Sequence, residues 1–187
     1  MTSLGLDEWY SSLSDRDKVR MERYADMEIN NSISNAYEFL LSMGSSALEE
    51  ENYSFSVIVL KECLSRTETK IQTFDVTELL IDACIGAKLY DDAKSLCEKD
   101  LLLYPEISDV LKARNDGNVP EKMNCRNRYV DVVVGIESGY DEAFVLLDRF
   151  LEMGLISKED HTFRRQSLKI HRLQRSFDGV YTYAYKE

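Results

Sequence analysis

Proline and glycine are scarce, at two and eight in 187 residues. So few breakers leave little room for long irregular stretches and suit a mostly helical chain with tight connections. Long apolar runs are also missing. No window reaches the roughly 18 consecutive apolar residues that a membrane helix needs, which excludes such a span. The start, Met1-Thr2-Ser3-Leu4-Gly5-Leu6-Asp7-Glu8, has no basic region followed by an apolar run. That pattern is not a secretory signal, so a cytoplasmic protein is expected. The four cysteines, Cys63, Cys84, Cys97 and Cys125, include no CxxC pair, which leaves zinc and redox motifs without support. Three of them, Cys63, Cys84 and Cys97, fall on apolar helical stripes, as reduced core residues do. His161 and His171 are the only histidines. They are ten residues apart, so they do not share a metal-binding helix face as two His one turn apart would.

What is present is a core-forming chain. Hydrophobic residues make up 44%, enough to exclude disorder, and the length suits one domain over 1–187. The net charge is −11, unevenly spread. Residues 161–177 hold Arg164, Arg165, Lys169, Arg172 and Arg175 and no acid, leaving 18 basic against 34 acidic residues elsewhere. An acidic body argues against nucleic-acid binding by the whole surface, with the basic segment a local exception.

One short phrase occurs three times: Glu51-Asn52-Tyr53-Ser54-Phe55-Ser56, Lys88-Leu89-Tyr90-Asp91-Asp92-Ala93 and Ser138-Gly139-Tyr140-Asp141-Glu142-Ala143. In each, a Tyr precedes a small residue by three positions, and helix-like stretches flank it. Repeated helix–turn–helix units are the sign of a helical solenoid. The pattern predicts an all-α fold with an N-terminal helical cap over 1–33, repeats over 34–156 and a basic capping helix with a tail over 157–187. Within the first part, Leu4–Tyr10 reads as an extended lead-in, and Ser14 with Asp17 resembles a capping box. Ala36, Phe39, Leu40, Met43, Ala47 and Leu48 keep the i, i+3, i+4, i+7 rule of a helix face. Val57–Leu60 alone would suit a strand, but Lys61-Glu62 and the repeat context favour helix. Pro105 predicts the end of a helix begun near Asp91, with a short helix over Ile107–Ala113. Residues 115–125 form the clearest loop. In the last helix Phe163, Ile170, Leu173 and Phe177 share one stripe. Asp178-Gly179 predicts a break and Val180–Tyr185 an extended tail.

These units resemble tetratricopeptide repeats. Met43-Gly44 stands at the family's Leu-Gly pair and Tyr53 at its turn, with Ser56 in place of Ala. Ala83, Tyr90, Ala93 and Pro105 match at the family's spacing, with Ile81 in place of Gly. Gly139, Tyr140 and Ala143 match in the third unit, with Asp131 in place of Gly and no closing Pro. The resemblance covers roughly residues 36–156. It implies a short right-handed solenoid of about three helical hairpins, irregular in period, since Tyr53 and Tyr90 are 37 residues apart and Tyr90 and Tyr140 are 50.

By the same resemblance, the first helix of each unit lines a concave, partner-binding face. Its inner positions are Glu38, Leu41, Ser45 and Leu48, then Asp75, Glu78, Asp82 and Ile85, then Arg128, Val132 and Ile136. The Lys and Asn residues with which family members grip a peptide carboxylate are absent there. Acidic and apolar positions suit a basic or amphipathic segment; a merely solvated acidic face fits them equally. No nucleophile or carboxylate stands at a suggestive spacing from either histidine, so no enzyme, metal or cofactor is expected. The expected function is a non-catalytic adaptor that holds a protein or peptide segment. The alternative is a nucleic-acid-associated or regulatory protein using residues 161–185, with Arg165, Lys169, Arg172 and Arg175 as anion-binding groups and Tyr181, Tyr183 and Tyr185 as stacking candidates. The plainer reading of that helix is a cap that seals the last repeat.

Overall fold

The computed structural model describes the backbone of residues 4–28, 35–136 and 138–184, and the side chains of 4–25, 35–136 and 138–176. Among these residues the regular structure is entirely helical, in nine helices. The chain divides into two compact units, Met1–Tyr129 and Val130–Glu187. The first holds α1 (Asp7–Ser12), α2 (Asp15–Glu28), α3 (Ala36–Glu49), α4 (Tyr53–Ser65), α5 (Lys70–Gly86) and α6 (Tyr90–Ala113). The boundary falls inside α7 (Asn124–Gly135), and the second unit continues with α8 (Tyr140–Glu152) and α9 (Lys158–Ala184). No described helix is long and apolar enough to cross a membrane.

Each occurrence of the threefold phrase builds the same joint. Tyr53, Tyr90 and Tyr140 are the first residues of α4, α6 and α8. The residue two before each tyrosine is left-handed: Glu51 at φ 58°, Lys88 at φ 63° and Ser138 at φ 56°. The next amide then turns back to close the preceding helix. Asn52 N–H donates to Ala47 O at 2.8 Å, Leu89 N–H to Cys84 O at 2.8 Å and Gly139 N–H to Val133 O at 2.9 Å. A left-handed residue that closes a helix end in this way satisfies carbonyls that would otherwise lack partners. Three residues after each tyrosine, Ser56, Ala93 and Ala143 are fully buried, as small residues must be where two helices approach closely.

In unit 1, α3 packs on α4, α4 on α5, and α5 on α6, with α2 laid on α3. Leu40, Met43, Phe55, Leu60, Leu80, Ile81 and Leu101 are fully or almost fully buried between them. All four cysteines are free thiols in this interior and in the start of α7. Two glycines set the closest approaches. A Cβ on Gly44 would lie 2.5 Å from Leu60 Cδ2, and one on Gly86 would lie 2.2 Å from the Tyr53 ring. Side-chain caps fix the helix starts. Ser14 Oγ accepts from the Asp17 amide, Asn35 Oδ1 from Glu38, and Ser157 Oγ from Asp160. Thr69 and Gln72 form a full capping box at the start of α5.

Four local expectations are corrected. The lead-in is a helix from Asp7, because α1 lets Leu6 and Leu13 both reach the interior. Pro105 does not end α6, which continues to Ala113. A proline inside a helix costs about 3 kcal/mol. Here Tyr104, Ile107 and Leu111 continue the buried stripe of Leu101 on one face, while Pro105 itself is exposed. Their burial offsets that cost at about 1.5–3 kcal/mol for each apolar side chain. Asp178-Gly179 does not break α9, whose backbone stays helical to Ala184, so Val180–Ala184 is not an extended tail. The side chains of Phe177, Tyr181, Tyr183 and Tyr185 lie outside the described residues.

The fourth correction concerns unit 2. The α9 stripe was expected to pack inward, yet Phe163, Ile170 and Leu173 are 68%, 57% and 59% exposed. The basic face packs on α8 instead. The Arg165 guanidinium lies 4.9 Å over the Phe144 ring and pairs with Asp148. Arg172 lies 5.8 Å over Tyr140 and pairs with Asp141 at 2.9 Å. Arg175 donates to Val134 O at 3.1 Å. Arginine combines an apolar stem, a planar face for aromatic rings and a fixed fork of donors, so it can meet the rings and the acids of α8 at once.

Candidate functional site

A groove of about 610 Å³ opens in unit 1 between α3, α5, the end of α6 and the segment leading into α7. Its apolar part comes from Leu41, Phe74, Leu79 and Leu111, and its charged part from Asp75, Glu78, Asp82, Arg114 and Lys122. Phe74, Glu78 and Asp82 share one face because they are spaced by four residues on α5. Of the expected inner positions, Leu41, Asp75, Glu78 and Asp82 therefore come together here. Glu38, Ser45, Leu48 and Ile85 are not among the lining residues. Val132 is buried, which removes it from any exposed face, and Ile136 is 51% exposed in unit 2.

The acids of the groove are engaged. Asp75 pairs with Arg114 at 2.9 Å and Asp82 with Arg128 at 2.7 Å. Asn124 bridges α5 to α7, its side-chain amide donating to Glu78 O at 2.7 Å and to Asp82 Oδ2 at 2.8 Å. The Glu78 carboxylate accepts the backbone amides of Asn124 and of Cys125, the latter at 2.7 Å. A carboxylate on the first amides of a helix satisfies orphan donors and meets the positive end of the helix dipole. Glu78 and Asp82 thus dock the start of α7. They do not form the free acidic strip expected from the sequence, and Arg128 belongs to this docking contact.

Behind Glu78 lies a buried polar cluster. Donor atoms of Glu78, Asp100 and Cys125 all lie within 4.8 Å of one another, brought together by α5, α6 and α7. Asp100 and Cys125 are 1% and 0% exposed. Asp100 Oδ1 accepts from the Thr77 hydroxyl at 2.6 Å. Asp100 Oδ2 and, one turn on, the Tyr104 hydroxyl are buried without partners. Burial pushes the Asp100 carboxyl up to about 8, against the smaller opposing effect of the Thr77 hydrogen bond. Burial also raises Glu78, partly offset by the amides of Cys125 and Asn124. The Cys125 and Cys97 thiols are pushed up by burial and then by the nearby Glu78 and Asp100 charges. Sequence reasoning missed this cluster. Its residues stand on three separate helices with no local spacing signature, and only the packing of α5, α6 and α7 joins them.

The histidines have structural partners. His161 Nε2 is 2.7 Å from Asp148 Oδ1, and Tyr140 Oη is 2.9 Å from His171 Nδ1. Of the expected anion-binding groups, Arg165 and Arg172 are paired with acids of α8, Arg175 holds a backbone carbonyl, and Lys169 is exposed. No protein-family model matches the chain, and neither a curated protein nor a solved structure does.

Proposed function

We propose that this chain is a non-catalytic adaptor whose unit 1 holds an amphipathic segment of a partner protein in the groove along α3 and α5. The supporting observation is the groove itself: Leu41, Phe74, Leu79 and Leu111 form an apolar floor, and Asp75, Arg114 and Lys122 form a rim of mixed charge. A segment with apolar anchors on one side and charges on the other matches that division. The mixed rim favours an amphipathic segment over a merely basic one. The stacked hairpins of α3 to α6 support the tetratricopeptide-like reading, in which such a face is the binding face.

The test uses the full chain as bait in extract of its native source. Leu41→Glu and Leu79→Glu should each abolish retention of a partner that the parent chain retains. Val145→Asp, at an exposed position of α8, should leave it unchanged. A synthetic peptide from the partner's bound region should compete. A partner retained equally by all four chains would exclude the groove.

A further inference from the structure

We propose that Glu78, Asp100 and Cys125 form a binding site for a single divalent transition-metal ion, zinc being the best fit. The reading is independent of the partner segment.

Two observations carry it. The first is convergence: three ligand-type groups from three helices lie within 4.8 Å, the one such group among the described residues. The second is an unmet demand on one of its three residues. Asp100 Oδ2 is buried with no partner, as is the neighbouring Tyr104 hydroxyl. A buried polar atom without a partner is costly, and native interiors keep few of them. A cation ligated through Asp100 Oδ2 would meet that demand.

The donor set selects the ion. A cysteine sulfur disfavours magnesium and calcium, which take oxygen ligands, and two carboxylates disfavour purely thiophilic ions. Zinc accepts both kinds. Its bonds of about 2.3 Å to sulfur and about 2.0–2.2 Å to oxygen bring tetrahedral donors to about 3.3–3.7 Å from one another. With every separation already within 4.8 Å, this requires a contraction of at most about 1.5 Å.

Glu78 can serve both α7 and an ion. Its two oxygens carry about four acceptor sites, and the Asn124 and Cys125 amides use one on each oxygen. It also lines the groove, which gives the ion an entry path and a water a place at the fourth position. The Thr77 hydroxyl orients Asp100 from behind, as outer-sphere partners of metal ligands do.

The experiment titrates chelator-treated full-length protein with Zn²⁺ and, separately, with Co²⁺ as a spectroscopic probe. One equivalent of either ion should bind. Cobalt should give a thiolate-to-metal charge-transfer band with the strong visible absorption of a tetrahedral site. Zinc should raise the melting temperature, since an ion that binds only the folded chain stabilises it. Cys125→Ser should remove the charge-transfer band, and Cys63→Ser, at a cysteine outside the cluster, should keep it. Asp100→Asn, close to isosteric and therefore expected to fold, should lower affinity more than about tenfold, the lower end of what outer-sphere changes alone cause. Absence of a cobalt band in the parent chain would overturn the proposal. So would a band that survives Cys125→Ser, or unchanged affinity in Asp100→Asn.

Discussion

The Ser56 hydroxyl donates to the Gly44 carbonyl oxygen at 2.8 Å, across the contact between α3 and α4. Ser56 holds the place that alanine holds in the two later phrases. Its extra oxygen is accommodated because Gly44 lets the helices approach closely and offers an acceptor. The substitution that departs from the repeat pattern thus becomes a hydrogen bond between the two helices it joins. Ser56→Ala should keep the packing and lose this bond, lowering stability by about 0.5–1.5 kcal/mol in denaturant unfolding.

Gly86 abuts the Tyr53 ring, so the first turn and the second hairpin share one contact. A methyl at Gly86 would lie 2.2 Å from Tyr53 Cδ1, and a ring held near its root cannot swing aside as a flexible chain end can. Gly86→Ala gains about 0.8–1 kcal/mol in helix propensity but incurs overpacking of about 1–3 kcal/mol. The net should be destabilising. A melting temperature at or above that of the parent chain would show that the ring moves freely.

Ala93 is fully buried where α6 meets α5. Ala93→Leu should overpack that contact and cost about 1–3 kcal/mol, measured by chemical denaturation. Ala93→Ser should be milder, since Ser56 fills the equivalent place in the first phrase.

Lys88 sits at φ 63° with its side chain exposed. A left-handed conformation costs a non-glycine residue about 1–2 kcal/mol. Lys88→Gly should therefore stabilise the chain by up to about 1 kcal/mol, part of the gain being lost to the greater freedom of glycine in the unfolded chain. Lys88→Val should destabilise it. The pair of melting temperatures, one raised and one lowered, checks the turn geometry.

Asp148 gives unit 2 a pH signature. The Arg165 hydrogen bond first, and then that of His161, hold its carboxyl below the ordinary value of 3.8. A carboxyl lowered in the folded state adds stability above its unfolded value, and loses it as pH falls through the folded value. The stability difference between the parent chain and Asp148→Asn should shrink below about pH 4. The effect should be small and salt-sensitive, since this group is half exposed.

The turns were legible in the sequence because their cause is local. A tyrosine, a small residue three positions on and a polar residue two positions before specify one joint, and all three copies adopt it. Pro105 was misread because the rule that proline stops a helix is also local, whereas the stripe through Tyr104, Ile107 and Leu111 is held by tertiary burial. The facing of α9 was misread for a related reason. Its apolar stripe announces a buried face only if the arginines prefer water, and here Phe144, Tyr140, Asp148 and Asp141 offer them partners on α8. The groove was half legible. Spacing put Asp75, Glu78 and Asp82 on α5 facing one way, but nothing in it revealed that Asn124, Cys125 and Arg128 would arrive to occupy the last two.

The most direct measurement is site-specific photo-crosslinking with the full chain in native extract. A photoreactive residue replaces Leu41 in the groove, Val145 on the exposed side of α8, or Phe163 on the exposed stripe of α9. Peptide mapping then identifies what is captured. The expected result is one partner segment, apolar on one face and charged on the other, captured from Leu41 and from neither other position. Capture from Val145 or Phe163 with none from Leu41 would contradict the groove as the binding site and place the interaction on unit 2.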